Sequence, residues 1–145
     1  MPQRKIENVL RGQKLLHLPP STTVQEAVRA MVDRHVAAVV VSESEGKLNG
    51  IFTERDVMIR VVAPGLNPTT TPLSRVMTIA PTTISAETTV REALMEMDGH
   101  NIRHLPVMEG ERVIGIVSMR DFVGDEVAEL ERNQTEEQRF AEGLR

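Results

Sequence analysis

Cysteine is absent from this chain of 145 residues, which excludes disulfides, a thiolate nucleophile and any zinc–thiolate site. Tryptophan and tyrosine are missing as well. Three phenylalanines hold the aromatic content at 2%, too little for the stacking platforms on which single-stranded nucleic acid is bound. No apolar run approaches the roughly 20 residues of a membrane span. The opening residues, from Met1 to Glu7, carry no apolar stretch of the secretory kind, so the expectation is a cytoplasmic protein without a membrane partner. Excess positive charge is lacking too. Residues 1–124 hold 14 Lys+Arg and 14 Asp+Glu, while residues 125–145 hold three Arg against seven acids, which accounts for the whole net charge of −4. A neutral body with an acidic tail has no footprint for duplex nucleic acid, and no nucleic-acid partner is expected. What remains, 40% hydrophobic and 26% charged, is a soluble globular composition sized for one ordinary domain or two small ones sharing a core.

What is present is said twice. Val24, Glu26, Ala27 and Met31 recur as Val90, Glu92, Ala93 and Met97, all shifted by 66 positions, and Gly50, Ile51, Arg55 and Asp56 recur as Gly115, Ile116, Arg120 and Asp121, shifted by 65. The lost residue falls where 42–46 stands opposite the shorter 108–111, a length change that belongs in a surface turn. A two-lobed, pseudo-symmetric body follows.

Each repeat opens on a helix start. Thr23 with Glu26, and Thr89 with Glu92, read as capping boxes. Val24, Ala27, Val28 and Met31, then Val90, Ala93, Leu94 and Met97, form one apolar stripe per helix at i, i+3, i+4, i+7, with the methionines as core. Strands are expected at 36–41, a continuous apolar run suited to burial on both faces, and at 102–107. Second strands follow at 48–52 and 113–117, each running into another helix start. The unit is therefore β-α-β-β-α, used twice in an α/β (α+β) fold. Residues 63–72, rich in Pro, Gly and Thr, form an irregular connector, and the charged tail reads as a solvated helix. In chain order the parts are 1–66, repeat 1 with its lead-in; 67–130, connector and repeat 2; and 131–145, the acidic tail.

The segments Gly50-Ile-Phe-Thr-Glu-Arg-Asp56 and Gly115-Ile-Val-Ser-Met-Arg-Asp121 carry the chemistry. Each sets a hydroxyl, an arginine and a carboxylate at the C-terminal end of a strand, where open α/β sheets bind ligands, and at a helix start suited to phosphate. Asp can accept from two ribose hydroxyls; Thr or Ser can bond a phosphate oxygen, and Arg can neutralise it bidentately. The same Thr-x-x-Asp and Ser-x-x-Asp strings also fit plain helix capping, and having two copies does not separate the readings.

The full strings resemble the cystathionine β-synthase (CBS) domain family, arranged as the tandem pair called a Bateman module. The resemblance rests on 23–27, the strand ending at Val41, and 48–56 in the first copy. In the second it rests on 74–77, 89–93, 102–107 and 113–121, and it covers roughly residues 6–130. It implies regulatory binding of adenosine-containing ligands: AMP, ADP or ATP, with NAD or S-adenosylmethionine as further candidates. It also implies a homodimer of two modules and a separate effector protein.

On this resemblance Asp56 and Asp121 hold ribose, Thr53 and Ser118 sit near phosphates beside Arg55 and Arg120, and adenine lies against the segment ahead of the other repeat's first helix. Opposite Asp56 that segment is 77–81, including Thr78, Ile79 and Ala80; opposite Asp121 it is near 14–18. Family members that grip phosphates often have basic residues where this chain has Arg103 and His104, whereas the first copy has Ala37 and Ala38 there. The expected better site is therefore Asp56 with Thr78, Ile79, Ala80, Arg103 and His104. The pair Arg103–His104 also reads as an ordinary polar strand face.

Other chemistry finds no support. His100 and His104 are separated by an expected helix end, so no metal site is expected, and there is neither a nucleophile elbow nor a glycine-rich phosphate loop. The expectation is a regulatory sensor with no enzymatic activity and no catalytic cofactor. Its rival is a dimeric interaction module whose clefts are vestigial.

Overall fold

In the computed structural model the described residues are 4–10 and 13–122; the expectations for the acidic tail lie outside them. Repeat 1 comprises β1 (His17–Leu18), α2 (Val24–Arg34), β2 (Ala38–Val41), β3 (Gly50–Thr53) and α3 (Glu54–Asp56), which runs on into a π-helical stretch, Val57–Val62. Repeat 2 comprises β5 (Ile84–Ser85), α5 (Val90–His100), β6 (His104–Glu109), β7 (Arg112–Ser118) and a helical turn at 119–122. Two short lead-in helices, α1 (Ile6–Val9) and α4 (Leu73–Val76), and a short strand, β4 (Thr78–Ile79), complete the described fold.

The helices form where their caps dictate. Thr23 and Thr89 are extended and accept the N–H of Glu26 and Glu92, each at 3.2 Å. Among the described residues only Glu92 returns the bond, to the Thr89 N–H at 3.3 Å, so the first expected capping box is half made. Both helices end on a left-handed residue, His35 (φ 55°) and Asn101 (φ 53°). Past each cap, the N–H of Val36 or Ile102 turns back to the carbonyl of Met31 or Met97. That return bond explains why the following strands begin at 38 and 104, two residues later than the apolar runs suggest.

Two sheets result, ordered β1-β2-β3-β4 and β5-β6-β7, with β1 and β5 parallel to their neighbours and the other pairings antiparallel. The turns that differ in length join β2 to β3 and β6 to β7, with Gly46 and Gly110 at positive φ.

Strand alternation divides the core into three. Val39, Val41 and Phe52 face α2, whose Val24, Ala27 and Met31 pack on them. Leu105, Val107 and Val117 face α5 through Val90, Ala93 and Met97, with Phe122. Ala38, Val40 and Ile51 point the other way, against Val113 and Ile116, and form the seam between the two sheets. The run at β2 is buried throughout because both its faces are covered. Phe52 and Phe122 are fully buried, each worth about 1.5–3 kcal/mol by transfer.

The lead-ins change sides. Ile6 of α1 sits in the core of repeat 2, with its N–H on Thr88 O at 2.9 Å. Leu73 and Val76 of α4 sit in the core of repeat 1, with the Leu73 N–H on Thr22 O at 2.8 Å. A division at 66/67 in the chain therefore does not divide the molecule in space.

Candidate functional site

Both Asp motifs stand at strand ends and both do cap their helices. In repeat 2, Asp121 Oδ2 accepts the Ser118 N–H at 2.8 Å while Ser118 Oγ accepts the Asp121 N–H at 3.3 Å. In repeat 1, Asp56 Oδ2 accepts from the Thr53 N–H (2.9 Å) and from Thr53 Oγ1 (3.2 Å), and Thr53 Oγ1 accepts the Asp56 N–H (3.3 Å). The cap consumes only one carboxylate oxygen. Capping and ligand binding are thus compatible uses of the same side chain, provided that Oδ1 is left over.

The second oxygens differ. Among the described residues Asp121 Oδ1 has no hydrogen-bond partner, and Asp121 is exposed. Asp56 is buried, and its Oδ1 lies 3.5 Å from Arg60 Nε. Arg60 Nη1 in turn donates to the Met77 carbonyl at 2.9 Å.

Asp121 opens onto a cleft of about 210 Å³. Gln13, Lys14, Leu15 and Leu16 of the first lead-in form one wall; His35, Val36, Ala37 and Ala38, from the end of α2 into β2, form another. His104, Ile116, Ser118, Arg120 and Asp121 of repeat 2 complete it. Leu15, Leu16, Val36, Ala37, Ala38 and Ile116 give an apolar floor, whereas the rim carries two fixed cations, Lys14 and Arg120, against one acid, Asp121. Such a space suits a flat apolar ring system with a hydroxylated middle and an anionic end. Fully enclosing ligand pockets are roughly 300–1,000 Å³, so a nucleotide here would remain partly exposed.

Backbone bonds at Ile6, Glu7 and Leu16 hold the first lead-in, and a side-chain bond ties it to β7. Gln13 Oε1 accepts the Ile116 N–H at 3.0 Å, and the absent side chain of Gly115 makes room: a Cβ there would lie 2.7 Å from Leu10 Cδ2 and 2.9 Å from Gln13 Oε1. On the pseudo-symmetric side β4 pairs with β3 through backbone, Gly50 with Ile79 and Ile51 with Thr78.

Of the residues expected from sequence, His104, Ser118, Arg120 and Asp121 line the cleft together. Thr53, Arg55 and Asp56 lie at the other strand end, near β4 with Thr78 and the exposed Ile79; Ala80 follows in a left-handed conformation (φ 48°). Arg103 is exposed, and its carbonyl accepts the Met119 N–H at 2.9 Å. The resemblance groups His104 with Asp56; the residue lines the Asp121 cleft and feels the charges of Glu54 and Asp56 from the other half as well as that of Asp121. Burial pushes the His104 pKa below the ordinary histidine value, opposed by Glu54, Asp121 and Asp56 and reinforced by Arg103.

Gln13, His35 and Arg60 were not singled out from sequence. His35 left a local signal, a bulky residue where a helix C-cap prefers glycine or asparagine, and Arg60 left one in its i+4 spacing from Asp56. Among the described residues no group of three or more His, Cys, Asp or Glu could hold a metal ion, and no helix is long and apolar enough to cross a membrane.

The CBS domain family profile matches this chain twice, at residues 9–63 and 73–125. The chain is similar to the CBS domain-containing protein CBSCBSPB1 of Arabidopsis thaliana, 39% identical over 123 residues. That match takes in 85% of this chain but 23% of the relative, so the chain spans about a quarter of that protein's length. Among solved structures it is similar to an uncharacterized conserved protein from Pyrococcus horikoshii: TM-score 0.79, 35% identity, 86% of this chain and 92% of that one. A CBS domain protein from Pyrobaculum aerophilum, complexed with AMP, shares the fold at TM-score 0.72 and 24% identity, over 81% of this chain and 88% of that one.

Proposed function

This chain belongs to the CBS-domain family as a tandem pair, and from that premise we propose that it is a regulatory module binding an adenosine-containing ligand in the Asp121 cleft. AMP, ADP and ATP are the leading ligands, with NAD and S-adenosylmethionine as further candidates; the AMP complex of the Pyrobaculum aerophilum protein supports the class. The observation that carries the reading is the division of labour on Asp121. Oδ2 caps the helical turn, while Oδ1 stands without a partner among the described residues in a cleft rimmed by Lys14 and Arg120.

On this reading Asp121 receives the ribose hydroxyls. Ser118, Arg120 and Lys14 meet phosphate, and the base lies on the apolar floor by Leu15 and Ala38. Thr53, Arg55, Asp56, Thr78, Ile79 and Ala80, with Arg103, form a second, pseudo-symmetric half-site, so the ranking of the two sites suggested by sequence is reversed. The cleft draws its walls from both repeats, so a ligand with unequal affinity for two arrangements of the sheets would shift their balance. We assign the module no catalytic step. The exposed Met58, Ile59 and Val62 on one helical face support docking of a second copy, and a separate effector protein would read the change.

The satisfied caps in both repeats favour one rival, a dimeric interaction module that binds no ligand. Calorimetric titration with AMP, ATP, NAD and S-adenosylmethionine separates the two. Saturable heat should weaken about 10- to 100-fold in Asp121→Asn, the loss of one or two charge-assisted hydrogen bonds. Stability should barely change, because Asn caps as well as Asp. Absence of heat with all four ligands would favour the interaction module.

A further inference from the structure

We infer that Arg60 is the residue that makes the two half-sites unequal: its guanidinium bars the Asp56 side, leaving one ligand per chain at Asp121. This rests on the nucleotide reading above.

The bar is two-ended. Arg60 Nε lies 3.5 Å from Asp56 Oδ1, the oxygen that the helix cap does not use. Nη1 donates to the Met77 carbonyl at 2.9 Å and reaches the Val76 carbonyl at 3.5 Å. The guanidinium therefore spans from the end of α3 to the end of α4. By pseudo-symmetry this is the gap that, in the other half, lies between Asp121 and the first lead-in. A diol approaching Asp56 must displace Arg60 from the carboxylate, and a ring approaching the lead-in must displace it from the carbonyls.

The sequence does not repeat Arg60 in the other half. The shift that carries Asp56 to Asp121 carries Arg60 to Asp125, and a carboxylate donates to neither a carboxylate nor a carbonyl. Arg60 itself is 46% exposed at its side chain, on the surface of the π-helical stretch, so replacing it opens the gap without opening a core.

The test is calorimetric stoichiometry with AMP on the full chain, with melting temperatures recorded beside it. Wild type should bind one AMP per chain, weakened about 10- to 100-fold in Asp121→Asn and unchanged in Asp56→Asn. Arg60→Gln should bind two, the second weakened likewise in the double variant Arg60→Gln/Asp56→Asn. Arg60→Ala, run in parallel, guards against a glutamine that merely rebuilds the bridge or fails to fold. Two AMP per chain in wild type would overturn the inference, as would one Asp121-dependent AMP in both Arg60 variants; either result would leave the nucleotide reading standing. No heat in any of the proteins would overturn both.

Discussion

Gly50 and Gly115 occupy equivalent places in the two repeats, yet alanine should have unequal effects at them. A Cβ on Gly50 would lie 2.7 Å from the Thr78 carbonyl oxygen and 2.8 Å from Met77 Sδ. The carbonyl is backbone, held by the β3–β4 pairing of Gly50 with Ile79 and Ile51 with Thr78, so relief requires the two strands to part. Overpacking of this kind costs about 1–3 kcal/mol. Alanine returns about 0.4–1 kcal/mol by restricting the unfolded chain. The net expectation for Gly50→Ala is a loss of about 1–2 kcal/mol, or roughly 3–6 °C in melting temperature for a chain of this size.

A Cβ on Gly115 instead meets the ends of two side chains, Leu10 Cδ2 at 2.7 Å and Gln13 Oε1 at 2.9 Å, which can swing aside. What is lost is the Gln13 bond to the Ile116 N–H, worth about 1 kcal/mol, which the same entropic gain nearly offsets. Gly115→Ala should therefore melt within about 2 °C of wild type. Because Gln13 and Lys14 form a wall of the cleft, it should nonetheless weaken nucleotide binding. Urea unfolding and scanning calorimetry on both variants, with an AMP titration, check the argument. Equal losses of stability at the two glycines, or none at Gly50, would refute it.

Two further predictions concern protonation and capping. Because burial holds the folded His104 pKa below its unfolded value of 6.5, the unfolded chain takes up that proton first. The stability contributed by His104 is complete above about pH 6.5 and is lost as pH falls through the folded value. His104→Gln should flatten that acid limb in urea unfolding between pH 7 and 5, and limbs that stay parallel would count against the assignment. At the helix starts, Thr23→Ala and Thr89→Ala should each cost about 1 kcal/mol. Glu92→Ala should cost a few tenths more than Glu26→Ala, since only Glu92 returns a bond to its cap. Melting curves of the four variants resolve the order.

The repeat, the helix starts at Thr23 and Thr89, the buried run at β2 and the caps at Asp56 and Asp121 are legible in the sequence because each is set by neighbours within a turn or a strand. The strand starts at Ala38 and His104 come two residues late for an equally local reason, the return bond of the helix C-cap, but that bond needs the left-handed residue before it can be seen. What the tertiary structure decided depends on residues far apart in the chain. Ile6 and Leu73 exchange cores because the lead-ins cross between repeats. Gln13 accepts a strand N–H 103 positions away. The family resemblance groups His104 with Asp56, whereas the meeting of the two sheets at Ala38, Val40, Val113 and Ile116 also sets it on the lining of the Asp121 cleft. Arg60 is readable in the sequence only as the i+4 partner of Asp56, and it is the approach of α4 that gives its guanidinium the Met77 carbonyl at the other end. Periodicity fixes which face of an element is buried, whereas the choice between two pseudo-equivalent clefts depends on side chains that the symmetry of the repeat does not repeat.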